Sequence, residues 1–168
     1  VIAECPSRRE SSILSFDITS DSLWKQTDAL CRTPEEHALL YFLRGFEPYN
    51  DGSGELEHIY AVAPSSTFLN ILFTREINSI EGSLFDDDHL RLNPVGNVPT
   101  DSIFLRHLLT LRSFALRCVN ERKATNRDFW VLSSGYLAFL AGDLPPAAQA
   151  YASLKKTTDT TISKLLPS

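Results

Sequence analysis

Residues 129–154 read FWVLSSGYLAFLAGDLPPAAQAYASL, and the spacing within this stretch decides the fold. Phe129, Trp130, Leu132, Tyr136, Leu137, Phe139 and Leu140 recur at helical intervals, with Asn126 or Asp128 placed to start the helix. Gly142 sits where a left-handed residue closes a helix, a conformation that only glycine adopts without a Cβ penalty. Pro145 then opens a second helix carrying Ala147, Ala148, Tyr151 and Leu154. A turn as short as Gly142-Asp143 makes the two helices antiparallel neighbours.

The same pattern extends upstream. Asp21 is placed to cap a helix with an apolar face of Leu23, Trp24, Thr27, Leu30 and Cys31, stopping near Arg32. Thr33-Pro34-Glu35-Glu36 starts the next: Thr33 as N-cap, Pro34 at the first helical position, Glu36 closing a capping box. That helix runs through Ala38, Leu39, Phe42 and Leu43 to about Gly45. After the turn-forming segment 47–54, Leu56, Ile59, Tyr60 and Ala63 mark a short helix ended by Pro64. Ser65 or Ser66 caps a longer one, striped by Leu69, Leu72, Phe73, Glu76, Ile77, Ile80 and Leu84, with Glu76 predicted at a wet edge.

Residues 86–100 are the longest break, with three aspartates followed by Pro94, Gly96 and Pro99, and form the candidate sub-domain junction. Thr100 or Asp101 then caps a long helix with Phe104, Leu105, Leu108, Leu109, Arg112, Leu116 and Val119 as its stripe. Residues 1–18 show no clear period, and 159–166 suggest a last helix. No segment alternates long enough to need a sheet. The prediction is a single all-α domain over residues 1–168, built of antiparallel helical hairpins.

Residues 129–156 resemble the tetratricopeptide repeat. In that family small residues let two helices approach closely, and an aromatic on the second wedges between them. Gly135 and Ala138 match the small positions of the first helix, Gly142-Asp143 the turn, and Ala147, Tyr151 and Leu154 the second helix. Ser134 stands where a leucine is usual and Asp159 where a proline usually closes the repeat. Leu56, Tyr60 and Ala63 echo the spacing of Ala147, Tyr151 and Leu154, but the two copies do not fall a whole number of standard repeats apart. The resemblance implies TPR-like packing, as an α-α superhelix or as an irregular helical bundle. Phe68 to Glu81, ending Arg75-Glu76-Ile77-Asn78-Ser79-Ile80-Glu81, is similar to helical regions of large uncharacterised bacterial lipoproteins, which implies an extracytoplasmic location.

Composition narrows the function classes. Apolar residues at 43% and charged residues at 22% suit a folded globular chain. A net charge of −5 without a basic patch argues against nucleic acid and against an anionic membrane surface. No apolar run approaches the roughly 20 residues that span a bilayer. The chain starts at Val1, so a trimmed product or part of a longer chain is expected; it also contains no methionine, where a chain of this length ordinarily has a few. Three cysteines, Cys5, Cys31 and Cys118, form no CxxC pair; Cys31 and Cys118 fit buried positions on helices.

No catalytic constellation is evident. His37, His58, His89 and His107 are scattered, with no i, i+4 pair to place two ligands on one helix face, so neither metal nor cofactor is expected. His89 beside Asp86, Asp87 and Asp88 is the best metal candidate, and an acidic surface loop accounts for it more simply. Asp51-Gly52-Ser53-Gly54-Glu55 fails the twelve-residue calcium register and is followed by no phosphate-binding Gly-Lys-Ser/Thr. Candidate contact residues are the aromatics Tyr49, Tyr41, Trp24 and Trp130, the tryptophans having core packing as their alternative. The leading expectation is a non-catalytic module that binds a protein or peptide partner. The alternatives are a small-ligand or glycan-binding domain that stacks on Trp and Tyr, and a metal-dependent helical hydrolase using Asp86–Asp88 and His89.

Overall fold

The computed structural model describes residues 20–47, 52–84 and 102–154, and every regular element in them is a helix. In chain order these are α1 (Asp21–Asp28), α2 (Pro34–Gly45), α3 (Ser53–Val62), α4 (Thr67–Leu84), α5 (Ser102–Glu121), α6 (Arg127–Leu140) and α7 (Leu144–Leu154). The all-α expectation holds over the described residues. Residues 1–18, the junction at 86–100, the Thr100 or Asp101 cap and the helix at 159–166 lie outside them.

Local chemistry sets several helix ends. Ser20, not Asp21, caps α1, its hydroxyl accepting from the Leu23 N–H at 3.3 Å. At α2 the capping box is complete: Thr33 Oγ1 accepts from Glu36 N–H at 3.2 Å, and Glu36 Oε2 accepts from Thr33 N–H at 3.0 Å. Of the two candidate serines before α4, Ser66 holds the start, accepting from the Phe68 N–H at 3.3 Å. Gly142 has φ 75° and closes α6 with both bonds of a Schellman motif. In that motif Asp143 N–H donates to Ala138 O and Gly142 N–H to Phe139 O, each at 2.9 Å. The chain then enters α7 at Leu144, one residue before Pro145.

Contacts cluster into two compact units, Val1–Leu72 and Phe73–Ser168, with the boundary inside α4. In the first unit α2 packs on α3, and the core gathers Ala38, Leu40, Phe42, Leu56, Ile59 and Leu69. Gly45 permits a close approach to Leu72 of α4, because a Cβ at that position would lie 2.8 Å from Leu72 Cδ1. By contrast none of the described side chains of α1 is buried.

In the second unit α6 packs on both α5 and α7. Trp130 is fully buried, its ring edge-on to Phe73 (centroids 5.0 Å apart), Phe114 (5.9 Å) and Phe129 (4.9 Å). Its indole Nε1 donates to Thr125 O at 2.9 Å, so burial leaves no orphaned donor. Gly135 of α6 and Ala150 of α7, equally far along the chain from the Gly142-Asp143 turn, face each other, and a Cβ on Gly135 would fall 2.7 Å from Ala150 Cβ. The two helices therefore run antiparallel at close range.

Two sequence readings are corrected. Glu76 is not at a wet edge: it is 2% exposed and held by Arg75 Nη1 at 2.6 Å and His107 Nε2 at 3.3 Å. The buried face of α5 is Leu108, Leu111, Phe114, Ala115 and Cys118, while Leu109 and Leu116 are 43% and 42% exposed. Consecutive leucines make two overlapping stripes in α5, and the Phe73–Phe114–Trp130 contacts select one of them.

Candidate functional site

The first unit carries a half-exposed cluster on α1, α2 and α3. Trp24 lies one turn into α1, held there by the Ser20 cap. Tyr41 and Arg44 lie one turn apart on α2, and Glu55 and His58 one turn apart on α3. The Arg44 guanidinium lies over the Trp24 ring, 4.0 Å from its centroid, and 5.7 Å from that of Tyr41. Trp24 and Tyr41 are tilted partners at 5.6 Å. Tyr41 is also stacked on the His58 imidazole at 4.8 Å, with 16° between the planes.

A carboxylate anchors this arrangement. Glu55, nearly buried, takes Arg44 Nε at 2.7 Å on one oxygen and Nη2 at 2.9 Å on the other, the paired geometry that fixes a guanidinium plane. The same carboxylate lies 3.4 Å from His58 Nδ1. Burial, followed by the nearby Asp28 carboxylate, raises the Tyr41 phenol above its ordinary range, so it stays a neutral donor. A shallow apolar groove of about 280 Å³ lies between the end of α1 and α2, lined by Thr27, by Leu30 and Cys31 of the connecting turn, and by Leu39, Leu40 and Leu43 of α2.

Of the four candidate contact residues, Trp24 and Tyr41 come together here. Trp130 sits in the core of the second unit with no exposed surface, and a ring so enclosed has no face to offer a partner. Tyr49 lies outside the described residues, as do Asp86, Asp87, Asp88 and His89. Cys118 is buried as expected, whereas Cys31 is only half-buried. Comparison with protein-family models, with curated proteins and with solved structures returned no match to this chain.

Reading the sequence missed Arg44, Glu55 and His58, and for a clear reason. Arg44 lies on α2 and Glu55 and His58 on α3, so no spacing along a single helix marks them as a group with Trp24 of α1. The sequence reading also passed over a second group. Asp28 at the end of α1, Cys31 just after it and His37 in α2 place one ligand atom each within 4.8 Å of one another. Here His37 Nδ1 and Asp28 Oδ1 share a hydrogen bond of 2.8 Å, and Cys31 Sγ faces Thr27 O at 3.6 Å. Burial, then the Asp28 and Glu36 carboxylates, raise the Cys31 thiol above its ordinary value.

Proposed function

We propose that this chain is a TPR-like, non-catalytic binding module whose partner is a protein or peptide segment docking on α1 and α2. The observation that carries this reading is the Trp24–Arg44–Tyr41–His58 cluster, locked in place by Glu55 yet half-open to solvent. Trp, Tyr and Arg are the side chains that dominate binding energy at protein interfaces. Here their rotamers are already restrained by mutual stacking and the Arg44–Glu55 pair, which lowers the ordering cost of association. The groove beside Leu30, Leu39 and Leu43 suits an apolar side chain of the partner. The close α6–α7 hairpin at Gly135 and Ala150 supports the TPR-like part of the reading.

A sugar-stacking role is less well supported. Arg44 covers a face of Trp24 and His58 a face of Tyr41, which are the surfaces a pyranose ring would need.

Selection from a displayed peptide library tests the proposal. Enriched peptides should share an apolar or aromatic anchor, and Trp24→Ala and Tyr41→Ala should each weaken their binding by about tenfold or more. Peptides that bind both variants as tightly as the parent would refute it.

A further inference from the structure

The second group on the first unit offers three chemically different donors: the carboxylate of Asp28, the thiol of Cys31 and the imidazole of His37. They sit where α1 ends and α2 begins, each half-buried, so a cation can reach them while part of its hydration is replaced. Sulfur and imidazole nitrogen together select against magnesium and calcium, which take oxygen ligands, and favour zinc-type cations. Tetrahedral zinc with bonds of roughly 2.0–2.3 Å needs ligand atoms roughly 3.3–3.8 Å apart. The Asp28–His37 contact of 2.8 Å must open a little and the thiol must close in from within 4.8 Å. Both are small movements. Cys31 lies outside the regular helix, tied back by its N–H to Asp28 O at 3.1 Å, and the weak bond of its thiol to Thr27 O at 3.6 Å is readily exchanged. All three side chains keep part of their surface in water, which gives a cation its way in.

We propose that Asp28, Cys31 and His37 form a three-ligand site for a zinc-type divalent cation that clasps α1 to α2, its fourth position left to water. Such a clasp has a physical use. With eight residues and no buried side chain among those described, α1 is too short to hold a helix by itself. Metal binding would therefore supply ordering energy to α1 and to Trp24, which α1 carries. The site stands independently of the binding reading; only its effect on partner recognition rests on it.

The test is a titration of the full chain, reduced and metal-free, with cobalt(II) as spectroscopic probe, followed by displacement with zinc(II). One equivalent of cobalt should produce a thiolate-to-metal charge-transfer band and intense tetrahedral visible bands, both abolished by zinc. Cys31→Ser should remove the charge-transfer band, and His37→Ala or Asp28→Asn should weaken affinity by about tenfold or more. Cys5→Ser and Cys118→Ser should leave the spectrum unchanged, and circular dichroism establishes that each variant keeps its helices. No charge-transfer band in the parent chain, weak octahedral bands alone, or a band that survives Cys31→Ser would each overturn the site. None of these readouts depends on a peptide partner, so the site and the docking surface can fail separately.

Discussion

Gly135 and Gly82 both lie in helices, yet replacing each by alanine has opposite expected signs. A Cβ on Gly82 meets nothing within 4 Å, so Gly82→Ala gains helix propensity and stabilises by up to ~1 kcal/mol. A Cβ on Gly135 would press on Ala150 Cβ at 2.7 Å, a short side chain that yields only if α7 moves. Overpacking of that kind costs about 1–3 kcal/mol, more than propensity returns, so Gly135→Ala is destabilising. Urea unfolding of the two variants checks both signs. Glu76 makes a different point. Its carboxylate is buried and held by Arg75 and His107, so Glu76→Ala removes an anionic partner from both. Because those partners are 28% and 18% exposed, water relieves part of the loss, and about 1–3 kcal/mol is expected by the same measurement.

Among the elements, α2 has an acid-sensitive start. Backbone N–H groups of Arg32 and Thr33 hold the Glu36 carboxyl below its ordinary value of 4.5. A group depressed in the folded state stabilises above its unfolded pKa, and that contribution disappears as pH falls through the lower folded value. Melting curves between about pH 5 and pH 3 should therefore fall less steeply for Glu36→Gln than for the parent chain, since the amide keeps the cap but does not titrate. The α2 start was legible in the sequence because a capping box is written in four consecutive residues. The buried face of α5 was not, because Leu108, Leu109, Leu111 and Leu116 satisfy two helical stripes and only tertiary contacts distinguish them. The candidate site falls between these cases. Trp24 and Tyr41 could be named from residue type, whereas Arg44, Glu55 and His58 join them only through the packing of three helices.

Across the whole molecule, stability should be graded rather than uniform. All of α1 lies half-buried or exposed wherever its side chains are described, while α6 buries Trp130, Val131, Ser133, Ser134, Gly135, Leu137, Ala138 and Leu140. Amides of α1 are expected to exchange with solvent close to the unprotected rate, and those in the middle of α6 only at the level of global opening. Hydrogen exchange read by mass spectrometry distinguishes this from uniform protection. The chain has two tryptophans, and the packing gives them unlike surroundings: Trp24 beneath the Arg44 guanidinium and Trp130 enclosed by phenylalanines. One indole therefore falls in each of the two units. Their emission colours should differ accordingly, red-shifted and quenchable for the first, blue and shielded for the second. Replacing either ring by phenylalanine would leave a one-colour chain in which intrinsic fluorescence reports on a chosen unit without any added dye.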